Sequence, residues 1–388
     1  MREAASKPYR KILLCITEDW FALSHFKPLI AELSQLSDRL IILTRLGARQ
    51  AELVPLATDV RHFDFSRASL NPARQAAVIA RLAHVIRSEK PDVVHFVSLQ
   101  TMLAGALALR LNRRTRAVFH LTGAGFLVTS SSLAGRLLKP AVMGLIRAGL
   151  GRPGRWLFVE NMDDAALVTS DEPRLSGRVA RLPGAGVDPV ALPAMPSPDN
   201  APPVVSYVGR MLWSKGVGVL AEATRLLHEQ GIPVTVRLYG PTDDNPESIA
   251  EQVLLKWRGL AGSPEWQGRT DDIAGVWRGS DICVLAPLVR EGMPRAMLEA
   301  AACGRPLVVS DVAGCRHFVS DGVEGRVVPP GDPRALAAAI AELAQDPAFA
   351  RACGGRAREK LANDYSDTAV RAAIRSAYEA LARDAPFA

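Results

Sequence analysis

Cysteines are few and none sit close together. The five, Cys15, Cys283, Cys303, Cys315 and Cys353, are an odd number without a C-x-x-C pair. That speaks against a disulfide framework or a zinc site and for buried thiols in a reducing compartment. No D-x-D occurs anywhere; the pairs Asp163-Asp164, Asp243-Asp244 and Asp271-Asp272 read as helix starts and turns, so no metal is expected. Long apolar runs are also missing. The longest candidate, Val93–Leu109, is interrupted by His95 and Gln100 and is too short to cross a bilayer. The basic N-terminus leads only into Ile12–Ile16, which Glu18 and Asp19 end, so no secretory signal is expected.

One absence is local. Val93–Val159 holds no acidic residue but nine basic ones: Arg110, Arg113, Arg114, Arg116, Arg136, Lys139, Arg147, Arg152 and Arg155. Residues 1–200 carry 26 Lys+Arg against 17 Asp+Glu, a balance of +9, while residues 201–388 carry 21 against 23, a balance of −2. A one-sign patch attracts anionic partners. Its basic residues interleave with Leu, Met, Val and Ile over Leu133–Arg152, which fits a helix lying on an anionic membrane, or else a solvated face over a buried helix. Aromatic interleaving is lacking, so nucleic acid is not an expected partner.

What is present is apolar and alternating. Hydrophobic residues make up 48% of 388, enough for two domains of about 150–200 residues each. Short runs such as Lys11–Thr17, Arg39–Thr44, Pro91–Val97, Thr115–Leu121 and Arg155–Glu160 read as strands, and His25–Leu36 and Ala73–Glu89 as helices. After the proline-rich Pro193–Pro203 a second series begins with Val204–Gly209 and the helix Gly216–Gly231, continues through Asp281–Pro287 and Arg305–Ser310, and ends in helices from Pro333 onward. The expected division is residues 1–192, a linker at 193–203, residues 204–366, and a C-terminal helix in 367–388 packing back toward the first domain. Alternating strands and helices imply α/β architecture, two doubly wound Rossmann-like domains with a cleft between them as the default site.

Two motifs carry chemistry. Gly209–Gly216 (GRMLWSKG) joins a strand to a helix. Gly209 permits close approach, and Arg210 and Lys215 offer a fork and a point charge that a diphosphate accepts. The stretch REGMPRAMLEAAACG (Arg290–Gly304) reads as loop then helix, with Pro294 in the first turn. Free backbone N–H groups at such a helix start bind anions, above all phosphates, and the family likeness drawn below puts that cradle around Gly292, Met293 and the turn that Pro294 opens. Glu291 sits at the loop tip, and Glu299 lies about a turn and a half inside the helix, about 7 Å along the axis from its start. Glu299 is followed by a buried-looking run, and a buried glutamate needs a partner. Either the two glutamates read a ligand, or they are a helix-start acid and an ordinary helix residue.

These motifs, with Val323–Ile340, resemble the donor domain of glycosyltransferase family 4, the retaining enzymes of the GT-B fold; the likeness covers nearly all of residues 204–365. Looser likeness to the polysaccharide and O-antigen branch runs through Glu18–Leu29, His120–Phe126, Phe158–Asp164 and Leu182–Pro189. The resemblance implies that Arg210 and Lys215 hold the donor diphosphate, that Glu299 binds the ribose, and that Glu291 contacts the transferred sugar. It places Arg269 beside the nucleobase and His120 and Gly123 near the donor sugar; the alternative is that Thr122 takes that position and His120 is a buried strand residue. Asp19 and His25 would lie near the acceptor, where this chain has Trp20-Phe21 in place of the family's glycine pair. It further implies a metal-independent enzyme without a cofactor, taking a nucleotide sugar, UDP-linked by analogy, and a polyprenyl-diphosphate-linked sugar acceptor. The setting is bacterial lipopolysaccharide or exopolysaccharide assembly, in the cytoplasm and peripheral on the inner face of the cytoplasmic membrane. A GDP-mannose-type mannosyltransferase or a UDP-sugar epimerase of the same fold are the alternatives. A non-catalytic regulator is disfavoured by the intact basic and acidic motif residues, and an NAD-dependent oxidoreductase has only Gly123-x-Gly125 in its favour.

Overall fold

The aliphatic runs become central strands because they are buried on both faces. In β1 (Tyr9–Glu18), Leu13 and Cys15 enter one core cluster while Ile12, Leu14 and Ile16 enter another. That period-two split between two apolar layers is the signature of a parallel sheet covered by helices on both sides. The computed structural model describes residues 7–65, 71–123 and 133–384, with only the backbone over 133–138.

Two units emerge, Met1–Ala185 with Asp367–Ala388, and Gly186–Ser366. The first contains β1, β2 (Ser37–Arg45), β3 (Asp59–His62), β4 (Val93–Val97), β5 (Arg116–Leu121), β6 (Arg155–Val159) and β7 (Val179–Arg181), in the order β3-β2-β1-β4-β5-β6-β7. The second contains β8 (Val204–Val208), β9 (Thr235–Tyr239), β10 (Glu265–Gly268), β11 (Ile282–Leu285), β12 (Leu307–Ser310) and β13 (Gly325–Val328), in the order β10-β9-β8-β11-β12-β13. Every pairing is parallel. In each sheet the order reverses once, between β1 and β4 and between β8 and β11. Such reversals open a crevice at the carboxyl ends of the two strands.

The structure revises several boundaries. The division falls at Ala185/Gly186, and the proline stretch lies on the second unit. There Arg305, 1% exposed, donates through Nη2 to the carbonyls of Met195 (3.0 Å) and Pro196 (2.8 Å), while Asn200 Nδ2 reaches Asp281 Oδ2 at 2.8 Å. Extended proline-rich backbone leaves carbonyls unused by any ladder, and the buried guanidinium takes them. The expected helix His25–Leu36 is observed as Lys27–Leu36, and a separate helix, Asp19–His25, precedes it across a break at Phe26 (φ −127°, ψ 18°). Pro28 lacks the N–H that a continuous helix needs there and fits a first turn instead.

The basic segment is also revised. Arg155 is 2% exposed and donates through Nη1 to the Gly149 carbonyl at 2.8 Å; burial lowers its pKa to about 10. Arg147 bonds the carbonyls of Val168 and Leu167 and pairs with Asp171 at 2.8 Å. Two of the nine cations are thus internal braces. Arg110, Arg113 and Arg114 are exposed around Leu111, itself 62% exposed. Among the described residues no helix is long and apolar enough to cross a membrane.

The helix Asp367–Arg383 packs on the helix Lys27–Leu36 within the first unit. Its anchor is Glu32, 1% exposed, which meets Arg371 Nε at 3.0 Å and Arg375 Nη2 at 2.6 Å. Both arginines reach solvent, so each retains hydration that the carboxylate has lost. Replacing both by alanine strands a buried charge, which should cost about 3 kcal/mol or more. The check is the first unfolding transition in urea, which should shift to lower concentration, while Glu32→Gln in the same background restores part of the loss.

Candidate functional site

The reversal in the second sheet explains why two motifs some 75 residues apart act together. β8 feeds the Gly209–Gly216 loop and β11 feeds the Ala286–Pro294 loop, and these strands are hydrogen-bonded neighbours. Their loops leave the same edge of the sheet side by side. The amide of Leu288 bonds the Ser214 carbonyl at 2.9 Å. Gly216 has φ +74°, and a Cβ there would lie 1.7 Å from the Ala286 carbonyl oxygen. Only a residue without a side chain lets the two loops touch this closely. A third loop, after β12, closes similarly: Gly314 (φ +87°) presses on the Gly292 carbonyl, and the Glu291 amide bonds Ala313 O at 3.3 Å.

This close meeting places Lys215 Nζ 2.6 Å from Glu291 Oε1, with both side chains largely covered. The ammonium has three N–H donors, so one carboxylate oxygen does not exhaust it. Arg210 is half-exposed and pairs with Asp243 Oδ2 at 3.0 Å, on the loop after β9; the Gly209 amide bonds Tyr239 O at 2.9 Å. Glu299 lies inside the helix Arg295–Ala302, 8% exposed. Its partner is Arg295, one turn earlier, whose Nε lies 2.7 Å from Oε1. Burial raises the Glu299 pKa, and Arg295 opposes that rise. Pro294 is the residue preceding this helix rather than its first turn, with ψ 118°, and Met293 is buried beneath it. Arg269 follows edge strand β10, is 71% exposed and pairs with Asp271 at 3.3 Å. Lys215 and Glu291 are therefore in contact, and Arg210, Glu299 and Arg269 are each held by a separate acid or base. Sequence reasoning missed Asp243 and Arg295. The second was legible, since Arg-x3-Glu is an i,i+4 ion-pair spacing.

In the first unit, Asp19 is 2% exposed and accepts the amides of Trp20 (2.6 Å) and Gly47 (2.7 Å), so its carboxylate pins the loop after β2. His25 Nδ1 lies 2.7 Å from Ser24 Oγ. His120 is 2% exposed, near the end of β5, with Nδ1 3.2 Å from His95 Nε2. Gly123 has φ +129°; Ala124–Phe126 lie outside the described residues.

The comparisons with known proteins agree with this architecture. Residues 202–346 match the family model described as glycosyl transferases group 1, and residues 24–158 match the glycosyl transferase 4-like domain. The chain belongs to the glycosyltransferases that join these two domains, and its paired parallel sheets are the GT-B fold. It is 24% identical over 83% of its length, and 86% of the relative's, to the N,N'-diacetylbacillosaminyl-diphospho-undecaprenol alpha-1,3-N-acetylgalactosaminyltransferase of Campylobacter jejuni. It is 30% identical over 54% of its length, and 52% of the relative's, to the putative colanic acid biosynthesis glycosyltransferase WcaL of Escherichia coli K12. The fold is shared with Anabaena HepE in complex with UDP-glucose, at TM-score 0.74 and 19% identity over 95% of this chain and 99% of that one.

Two expectations follow. Gly216→Ala forces the loops apart and should lower the unfolding free energy of the second unit by about 2 kcal/mol or more, read by chemical denaturation as an earlier midpoint. In the first unit, burial pulls His120 down to about 3 and His95 well below its usual value. Both stay neutral when folded, whereas the unfolded chain protonates them below about pH 6.5. Stability should therefore be unaffected by these groups above that pH and fall as pH drops toward 3. A His95→Gln, His120→Gln double variant should show a flatter melting profile between pH 7 and pH 5 than the wild type.

Proposed function

We propose that the protein is a metal-independent, retaining glycosyltransferase that moves a sugar from a UDP-linked donor to a polyprenyl-diphosphate-linked sugar during bacterial cell-surface polysaccharide assembly. The observation that carries it is the Lys215–Glu291 contact at the reversal point of the second sheet. There a cation for the diphosphate and a carboxylate for sugar hydroxyls come from adjacent loops above one helix N-terminus. Lys215, with Arg210 beside it on the same loop, neutralises the departing diphosphate electrostatically, in the role a metal ion plays elsewhere. Glu299 accepts the ribose hydroxyls, Glu291 orients the transferred sugar, and Arg269 borders the base. The acceptor hydroxyl attacks the anomeric carbon on the face the diphosphate leaves. The carbon–oxygen bond to the diphosphate breaks as the new one forms, and the hydroxyl proton passes to a diphosphate oxygen.

Support for the lipid-linked acceptor comes from the Campylobacter relative, whose name specifies a diphospho-undecaprenol-linked substrate, and support for uridine from the HepE complex. The exposed cluster of Arg110, Arg113 and Arg114 around Leu111 suits peripheral attachment to the anionic inner face of the cytoplasmic membrane. The test is a thermal shift against UDP, GDP, ADP and NAD. UDP at about 100 times its dissociation constant should stabilise the wild type by nearly 3 kcal/mol. Glu299→Ala should lose most of that response. A GDP response would move the donor to the GDP-mannose type, and a shift with NAD alone would sink the reading.

A further inference from the structure

We propose that Asp243 makes the donor site discriminate between an intact nucleotide sugar and the spent nucleoside diphosphate, by opposing the second more strongly. This rests on the functional reading of Arg210 as a diphosphate ligand, and every residue involved belongs to the second unit.

Two neighbouring strands bring the pair together. Arg210 follows β8 and Asp243 lies on the loop after β9, and Arg210 Nη1 donates to Asp243 Oδ2 at 3.0 Å. Backbone bonds tie the two loops to each other. The Met211 amide donates to Pro241 O at 3.0 Å, the Trp213 amide to Glu247 O at 3.0 Å, and the Ile249 amide to Met211 O at 2.8 Å. Asp243 is fixed by its own turn as well. Its amide donates to Ser248 Oγ at 3.1 Å, and its Oδ1 accepts the Asn245 amide at 3.0 Å. Groups other than the ion pair therefore carry the carboxylate to Arg210.

Such a carboxylate can orient the guanidinium for a ligand or compete with the ligand for it. Orientation is the smaller effect here, because the main chain of Arg210 is already placed. Its carbonyl accepts the hydroxyl of buried Tyr207 at 3.0 Å and the Leu212 amide at 2.9 Å. Competition is direct. A phosphate on the same guanidinium either displaces the carboxylate or sits across the planar group from it, and like charges repel in both cases. The pair yields readily, because its side chains are 51% and 31% exposed and an exposed ion pair contributes little.

The repulsion scales with the charge that the ligand brings. In an intact nucleotide sugar each phosphate is esterified on both sides and carries one negative charge. Once the sugar has gone, the terminal phosphate has a second ionisation with a pKa of about 6, so it carries about 1.5 to 2 charges at pH 7. The proton it takes from the acceptor hydroxyl is thus mostly lost again at neutral pH. Charge facing Asp243 rises at the point in the cycle where the nucleotide has to leave. Arg210 and Lys215 attract that added charge, and Asp243 offsets part of the attraction by taking Arg210 back.

The test needs no knowledge of the sugar. Titration calorimetry of the full chain near neutral pH compares UDP with UDP methyl ester, whose methylated terminal phosphate keeps one charge per phosphate, as in a nucleotide sugar. Asp243→Asn removes the charge and keeps an acceptor for the Asn245 amide. It should tighten UDP about fivefold, the upper end for one exposed ion pair, and the methyl ester only about twofold. Both gains should shrink in high salt. Asp243→Ser also accepts from the amide two residues on, and it should behave alike if the asparagine variant folds poorly. Unchanged or weaker UDP binding in a folded variant overturns the proposal and gives Asp243 the orienting role. Equal tightening of UDP and its methyl ester overturns the discrimination. An equal effect from Asp244→Asn, on the same loop, makes net charge the cause and overturns the assignment to the pair. Failure of both UDP compounds to bind the wild type refutes the donor reading of the second unit, and the proposal falls with it.

Discussion

The second unit depends on how closely two loops can approach. Gly216 lies against the Ala286 carbonyl with no room for a side chain, and that contact brings the ends of β8 and β11 together. The meeting of cation and carboxylate in the proposed donor site follows from it. Lys215 reaches Glu291 because the residue after it is a glycine in a left-handed turn, and Glu291 is held in place because Gly314 lets a third loop press on Gly292 from the other side. The sheet supplies the neighbourhood, and backbone close approach supplies the precision. Backbone contacts between the loops, not the side chains alone, hold Lys215 and Glu291 where they meet.

Burial and charge are opposed differently at each acidic position. Glu299 is deep in a helix, and burial pushes its proton affinity up while Arg295 pulls it down. Glu32 is deeper still and is flanked by two arginines that keep contact with solvent. Asp19 has no cation in its described hydrogen bonds and is met by two backbone amides. These are three solutions to one problem, that a carboxylate removed from water needs donors. Asp19 resembles a structural clamp in its contacts. Glu299 has one oxygen in an ion pair within its own helix, and its other oxygen could still accept a hydroxyl.

Much of this was legible in the sequence, for physical reasons. Strands buried on both faces advertise themselves as unbroken aliphatic runs, and Ile12–Ile16 and Ile282–Leu285 did so. The two motif loops were legible because glycine, lysine and proline have positional requirements there that few other roles explain. What stayed hidden depended on distant partners. Nothing near Arg210 announces Asp243, whose proximity exists only because β9 lies beside β8. Short edge strands such as Val179–Arg181 and Glu265–Gly268 carry too few residues for a periodic signal. The prolines of 193–203 read as a linker because proline excludes regular structure, yet that same property left the carbonyls that Arg305 binds. The cationic segment read as a surface, but Arg155 and Arg147 are turned inward to cap carbonyls, which composition cannot distinguish.

The first unit is assembled from both ends of the chain. Residues 367–383 complete its core through Tyr378, Ile374 and the Glu32 pairs, and all of the second unit is threaded between. During synthesis on a ribosome, the second unit therefore has its whole sequence available before the first has its last helix. The amino-terminal sheet must wait, with Glu32 and the apolar face of Lys27–Leu36 uncovered, for nearly 200 further residues of translation after its seventh strand. Order of emergence and order of completion are reversed in this molecule, and the half that begins first closes last.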